Sequence, residues 1–211
     1  MAGKHFCVSF ADSRDAKTCL EIGQSVMWDN GAFTTYTSGK VFDHLAYYDW
    51  LQDKLGHPHW AVIPDVIGGD EKQNKEFLNT WPYPNYFGVP VWHLHLGLDY
   101  LVYLCENYPK VCFGSSGQYW QVGSRSWEER VNEAFNMLDR KFKTLPWIHM
   151  LRGLNMTGKH YPFASADSVN VSRNYKSSKR CPEKMAREID SVQCPIRWNE
   201  RKTKQLSLID D

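Results

Sequence analysis

Three aspartates follow short apolar runs of the sequence, at the points where strands would end. They are Asp29, Asp65 and Asp167. A pair of carboxylates suits glycosyl transfer with retention, because one attacks the anomeric carbon while the other moves protons to and from the leaving group. A third carboxylate could read the leaving group. Glycines follow Asp29 and Asp65 closely and would let the backbone approach a flat ligand.

Each aspartate also has a purely structural interpretation. Residues 29–31 are an ordinary turn sequence, and Asp65 could cap the next helix. Asp167 is harder to explain in this way, since it lies within an apolar run where a carboxylate is unfavourable unless it is paired or used. Their shared position at strand ends is the stronger argument for one common pocket.

The elements that position these residues are predicted from seven short runs rich in β-branched and aromatic residues, which alternate with helical stretches. The runs are 6–10, 25–28, 60–64, 89–95, 111–113, 147–151 and 163–171. This alternation predicts an α/β fold with a parallel sheet, a compact (β/α)8 TIM-type barrel in which residues after the strands converge on one rim. The eighth strand is not evident, and only 196–198 or 206–209 could supply it.

Helices are predicted between these runs. The clearest one follows the fifth run, where Ser126 and Glu129 fit a capping box and apolar residues repeat at helical spacing as far as Phe142. Weaker helical segments span about 41–55, 70–79 and 98–107.

Length and composition indicate one folded domain. The chain has 211 residues, of which 42% are hydrophobic, and this length suits one barrel rather than two domains. No apolar run approaches the roughly 20 residues that cross a bilayer, so no membrane partner is expected. Six cysteines without a C-x-x-C pair favour a reducing, cytoplasmic setting.

Basic residues are concentrated towards the carboxyl end, although the formal net charge is only +1. Between positions 173 and 204 there are ten Lys or Arg and four acidic residues. We therefore divide the chain into a barrel, residues 1–176, and a basic extension, residues 177–211, that completes or flanks it. The extension could dock a polyanion or could be a solvated tail.

Two further segments could bind ligands. His93 and His95 alternate along the fourth strand and could share a metal, but no third ligand of matching spacing is present, so His95 is predicted to make hydrogen bonds in the pocket. Residues 114–117 could cradle a phosphate, yet they lack the lysine and spacing of a P-loop. We interpret them as pocket lining.

In their order these motifs resemble those of the tRNA-guanine transglycosylase superfamily, and within it the short DpdA-like 7-deazaguanine DNA transglycosylases of phages and bacteria. The likeness spans roughly residues 6–176. The family's D-x-G-[GA]-F segment is similar to residues 29–33, which implies that Asp29 transfers protons near the scissile bond. The resemblance likewise implies that Asp65 reads the base edge and that Asp167 is the covalent nucleophile.

The resemblance also implies the rest of a base pocket. His95 with Gly97 matches a polar residue and glycine after the fourth strand, where the family more often has Gln. The implied base-binding residues are Phe33, Asp65, His95, Gly97, Gly114, Ser115, Ser116, Gly117, Arg152 and Gly153. Phe113 and Tyr119 are additional candidates for stacking on the base.

One departure from the family concerns zinc. The tRNA enzymes carry a C-x-C-x-x-C zinc site with a distant His, whereas Cys181 and Cys194 here stand thirteen residues apart. No metal and no other cofactor is therefore predicted, and DNA is favoured over tRNA. The basic stretch that follows Asp167 would hold the nucleic-acid backbone through four cations: Arg173, Lys176, Lys179 and Arg180.

The resemblance as a whole implies a pentosyltransferase of a bacterium or a phage-infected host cell. Such an enzyme would replace guanine in DNA by a 7-deazaguanine such as preQ0, through a covalent aspartyl-sugar intermediate. The alternatives are the same chemistry on tRNA, a base-releasing N-glycosidase, and a nucleic-acid-binding protein without turnover on the same barrel.

Overall fold

The structure, a computed structural model, describes residues 1–174 and 181–199. These residues form a mixed α/β fold with two four-stranded parallel sheets, which confirms the predicted class. The first sheet contains β1 (His5–Ser9), β2 (Ser25–Asp29), β3 (Trp60–Val62) and β4 (Gly88–Val89), in that order. The second contains β5 (Val91–His93), β6 (Lys110–Gly114), β7 (Trp147–Met150) and β8 (Ser165–Ala166).

Eight α-helices accompany these strands in the described ranges. They are α1 (Ala16–Ile22), α2 (Ala32–Thr37), α3 (His44–Leu51), α4 (Glu71–Thr80), α5 (Leu98–Asn107), α6 (Arg125–Lys141), α7 (Asn170–Asn174) and α8 (Pro182–Asp190). The predicted helix 98–107 is confirmed at both ends. The other predicted helices are present with shifted ends.

The two sheets are joined where one strand was predicted over 89–95. Pro90 separates β4 from β5, and because proline has no N–H to donate it interrupts the ladder there. The ring of Trp60 on β3 lies with its centroid 5.7 Å from that of Trp147 and 5.3 Å from that of His149, both on β7. The sheets therefore face each other. No ladder joins β1 to β8 among the described strands.

Side-chain alternation along the strands separates two groups of buried residues. Trp28 belongs to the large core that packs against the helices, with Val131 and Phe135 of α6. The neighbouring Met27 packs in a smaller cluster with Trp60 and other strand residues: Val62, Val89, Val91 and Cys112. Since side chains of a strand alternate between its two faces, Asp29 lies on the same face as Met27.

Helix caps correct two predictions. The Oδ1 atom of Asp70 accepts from the N–H of Gln73 at 2.8 Å, so α4 is capped by Asp70, and Asp65 does not cap it. The predicted box of Ser126 and Glu129 is wrong, because α6 begins two residues earlier. Ser124 is its N-cap residue and accepts from the N–H of Trp127.

The C-terminal part differs most from the predictions. The run 163–171 contains only the two-residue strand β8, because Asn170 already begins α7. Residues 196–198 do not form a strand. Instead Trp198 stacks on Phe135, with ring centroids 5.2 Å apart, while positions 206–209 and the predicted boundary at 176/177 lie outside the described residues. No helix in the described part is long and apolar enough to cross a membrane.

Candidate active site

Asp29 lies at the end of β2, where the chain turns sharply into α2. Gly31 takes a positive φ of 75° at this turn and donates its N–H to Asp29 Oδ2 at 3.1 Å. The pKa of Asp29 is raised to about 6, mainly by burial and also by the charges of Asp167 and Asp65, while hydrogen bonds from Ser9 and the Gly31 N–H act to lower it. Asp29 is thus a carboxyl group that can gain and lose a proton near neutral pH.

Asp65 follows β3 and is held through both of its oxygens. Asn30 Nδ2 donates to Oδ1 at 2.8 Å, and His93 Nε2 on β5 lies 2.8 Å from Oδ2. The side chains of Asp65 and His93 are only 8% and 4% exposed. Asn30 is itself held, because it also donates to the carbonyl of Ile63. The orientation of the Asp65 carboxyl group is therefore fixed by Asn30, which follows β2, and by His93 on β5.

Asp167 follows β8 and is held by the end of β7. The backbone N–H of Arg152 donates to Asp167 Oδ1 at 2.7 Å, and His149 Nε2 lies 3.3 Å from the same oxygen. The other ring nitrogen of His149 lies 2.6 Å from Ser165 Oγ, which fixes the ring. At 18% exposed, the side chain of Asp167 is more open to solvent than that of Asp65.

A small cavity of about 50 Å³ lies between these strand ends. Six of the predicted site residues line it: Asp29, Phe33, Asp65, Gly114, Ser115 and Arg152. The other lining residues are Asn30, Ala32, Val62, Ile67, His93 and Leu151. Asp167 is not among them, but it stands close enough to Asp29 for its charge to act on that group.

Five further predicted base-binding residues do not line the small cavity. His95 points to the carbonyl of Gly69, which lies 2.9 Å from His95 Nε2, and its other ring nitrogen lies 3.1 Å from Ser116 Oγ. Gly97 is the N-cap residue of α5. Gly117 begins a 3-10 turn, and Gly153 packs against Met150.

The two additional stacking candidates also lie elsewhere. Phe113 is fully buried in the core, with its ring centroid 5.7 Å from that of Phe135 on α6. Tyr119 packs at the edge of the same core. Phe33, in contrast, is 47% exposed and lines the cavity.

Sequence reasoning did not assign a role to His93, His149 or Asn30. His93 was noted only as a partner of His95 for a metal. Strand alternation gives a signal for His149, because it places residues 147 and 149 of β7 on one face. Nothing in the sequence tells which carboxyl group each imidazole meets.

A second cavity of about 770 Å³ adjoins the first, and Arg152 lines both. Its wall includes Ser168, the residue after Asp167, together with Asn155 and Lys184. The other lining residues, which include the acidic Glu188, are Val122, Leu154, Thr157, Asn170, Cys181, Met185, Glu188, Ile189 and Val192. Of the four cations predicted to hold a backbone, Arg173 lies in the last turn of α7, and Lys176, Lys179 and Arg180 lie outside the described residues.

Within the described ranges, no group of three or more His, Cys, Asp or Glu side chains is placed to hold a metal ion. All six cysteines are free thiols. No protein-family model, curated protein or solved structure matches the chain.

Proposed function

We propose that the protein is a pentosyltransferase that replaces guanine in nucleic acid, DNA in preference to tRNA, by a 7-deazaguanine base such as preQ0. The observation that carries the proposal is the convergence of three carboxyl groups. Asp65 and Asp167 follow different strands from Asp29, and yet both act electrostatically on it. Their three distinct environments match the three tasks of a base exchange.

In the first half of the reaction, a carboxylate oxygen of Asp167 attacks C1′ of the target nucleotide. The bond between C1′ and the base nitrogen breaks, and its electron pair leaves with guanine. Asp29 supplies the proton that the departing base takes up. The hydrogen bonds to Asp167 from His149 and the Arg152 backbone orient the attacking group before the substrate arrives.

In the second half, the incoming base binds in the site that guanine has left. Its ring N–H gives a proton to Asp29, which is ionised after the first half, and the freed nitrogen attacks C1′. The ester bond to Asp167 breaks, and Asp167 is restored as a carboxylate. Two inversions at C1′ leave the configuration unchanged.

Asp65 reads the base in this scheme. A carboxylate has about four acceptor positions, and Asn30 and His93 occupy two of them. The remaining positions can accept from the N1–H and the 2-amino group of guanine, an edge that 7-deazaguanines share. Phe33, which is 47% exposed and lines the cavity, offers a ring on which the base can stack.

The proposal includes a finer description of the fold, in which the two sheets act as one compact (β/α) barrel without a complete eighth strand. The contacts of Trp60 with Trp147 and His149 across the sheets support it. In such a barrel the carboxyl ends of the strands share one rim, and active sites of this architecture lie there.

A nucleic-acid substrate would lie across the second cavity. This cavity begins at Ser168, beside the proposed nucleophile, and carries the cations Arg152 and Lys184. In a duplex the target base would have to leave the stack. Cations that meet phosphates make such binding weaken with salt.

The experiment offers guanine-containing DNA and tRNA side by side, each with labelled preQ0, and follows both label incorporation and the covalent protein-nucleic acid adduct by mass spectrometry. We expect incorporation into DNA, loss of adduct and incorporation in Asp167→Ala, and normal incorporation in Asp139→Asn, a change on the exposed face of α6. Incorporation that survives in Asp167→Ala removes that residue as the nucleophile. Guanine release without incorporation indicates an N-glycosidase, and incorporation into tRNA alone indicates the tRNA-directed enzyme.

A further inference from the structure

The side chain of Arg152 lies inside the proposed base site. Its guanidinium carbon is 4.3 Å from the centroid of the Phe33 ring. Its Nη2 atom donates to the carbonyl oxygen of Ser115 at 2.6 Å. Phe33 and Ser115 both line the small cavity, so the guanidinium spans this cavity from the β2 end to the β6 end.

The backbone at Arg152 is held in an unusual conformation that directs the side chain there. Its φ is 58°, the only positive φ of a non-glycine residue in the described ranges, and L side chains disfavour this region. The hydrogen bond from the Arg152 N–H to Asp167 holds this turn. Burial lowers the pKa of Arg152, although the nearby charges of Asp167 and Asp29 raise it.

The remaining space cannot receive a purine. The cavity measures about 50 Å³, whereas ligand sites in proteins typically measure about 300–1,000 Å³. The group that fills the space is itself related to the expected ligand. A guanidinium is planar and presents N–H donors, and the N1, C2, N3 and 2-amino atoms of guanine form the same planar group of one carbon with three nitrogens.

We propose that Arg152 is an internal competitor for the base site, a conclusion that rests on the proposed function. Its guanidinium packs on the Phe33 ring and donates to the carbonyl of Ser115 until a base binds at the same position. Since Arg152 also lines the larger cavity, its side chain moves there, where a phosphate of the bound nucleic acid pairs with it. Nucleic acid thereby opens the site, and the free base binds poorly without it.

The first test measures the environment of the Phe33 ring directly and needs no bound base. The probe is 4-fluorophenylalanine at position 33, followed by fluorine NMR in the full chain. Arg152→Gly removes the side chain and suits the positive φ, and Arg152→Asn is a second variant that tolerates this region. We expect both variants to shift the fluorine signal and millimolar guanidinium chloride to restore it, with no shift in Arg125→Ala, a change of an exposed arginine of α6.

The second test measures the affinity of free guanine by calorimetry. We expect Arg152→Gly to bind guanine at least tenfold more tightly than the unchanged protein, and guanidinium chloride to reduce that affinity. Equal affinities, or a fluorine signal that ignores Arg152, would overturn the proposal. A third outcome is one in which the fluorine signal responds to the Arg152 substitutions and to guanidinium but no form of the protein binds guanine. This outcome would confirm the contact of Arg152 with the Phe33 ring and refute the proposed function.

Discussion

The imidazole of His93 and the carboxyl group of Asp65 form a buried pair, with 2.8 Å between Nε2 and Oδ2. The pair joins β5 to the loop after β3, and Asn30 extends it to the end of β2. The ends of β2, β3 and β5 are therefore connected through one carboxyl group. A carboxyl group held in this way keeps its free acceptor positions pointing in fixed directions, which is a requirement for reading the edge of a base.

Replacing His93 separates its role from that of its neighbour His95. We expect His93→Ala to raise the KM for the incoming base about tenfold, because a hydrogen bond to a charged group contributes about 1.5–3 kcal/mol and part of it is lost when Asp65 reorients. His95→Ala is the matched control, since His95 contacts the Gly69 carbonyl rather than Asp65. If base-exchange kinetics show the larger KM change for His95→Ala, then Asp65 is not positioned by His93.

Asp29→Asn is expected to stabilise the protein while abolishing exchange. The pKa of Asp29 is raised to about 6 by burial, so the native state holds a proton that the unfolded chain has already lost. The free energy of unfolding therefore falls as pH rises from about 4 to about 6, by about 3 kcal/mol for a shift of two units.

An uncharged Asn at position 29 does not titrate, so the free energy of unfolding of Asp29→Asn does not fall over this pH interval. Urea unfolding at pH 7 should show a higher free energy of unfolding for Asp29→Asn than for the unchanged protein, and at pH 3 the two should agree. Asp139→Asn, at an exposed position, is the control and should differ at neither pH. A variant that is less stable at pH 7 would mean that ionised Asp29 is favourably paired in the native state.

The same pKa predicts opposite pH profiles for the two halves of the reaction. Adduct formation needs protonated Asp29, so its rate should fall as pH rises through about 6. Release of the adduct by the incoming base needs ionised Asp29 and should become faster over the same interval. Quenched-flow measurement of adduct formation and decay checks this, and two parallel profiles would exclude Asp29 as the shared proton carrier.

Strand ends could be predicted from the sequence because buried runs are bounded by polar residues and glycines. The prediction of β2 missed its true end by one residue, and Asp29 was correctly placed there. The division at Pro90 was missed because residues 89–95 read as one apolar run, although proline cannot donate to a ladder. Similarly, Ser124 and Ser126 both lie near the start of α6, and only the hydrogen bond from the N–H of Trp127 identifies Ser124 as the cap residue.

The contacts within the site could not be predicted in the same way. His93 lies on β5, whereas His149 and Arg152 lie at the end of β7. Their partners depend on how the two sheets face each other. His93 and His95 alternate along the chain, and the local sequence does not tell which of them contacts Asp65, since this depends on how the strand is placed in the fold. The position of the Arg152 side chain depends on a positive φ, which sequence patterns favour for Gly and Asn but not for Arg.

His149 is expected to act on the reaction through Asp167. His149→Phe keeps a ring in contact with Trp60 but removes the nitrogen that faces Asp167 Oδ1. We expect adduct formation to slow about 10- to 100-fold with little change in the KM for the nucleic acid, as is usual when an orienting group is lost. His149→Gln, which retains a donor, should recover part of the rate. A change confined to KM would assign His149 to substrate binding.

Lys184 provides a test of the nucleic-acid partner with a closely matched control. Lys184 on α8 lines the larger cavity and lies 4.0 Å from Glu188, one turn away. Lys17 on α1 has the same arrangement with Glu21, also at 4.0 Å, and does not line that cavity. Both lysines are highly exposed, so neither ion pair contributes much to stability. The two substitutions to Ala thus remove the same charge from the same kind of pair.

If the cavity holds the backbone of a nucleic acid, Lys184→Ala should weaken oligonucleotide binding and reduce the slope of log K against log salt by about one. Lys17→Ala should leave that slope unchanged, since long-range effects of net charge are the same in both variants. Fluorescence anisotropy with a labelled DNA oligonucleotide from 50 to 200 mM salt measures both. Equal slopes in the two variants would mean that Lys184 meets no phosphate, and the backbone would then have to cross the site along a different surface.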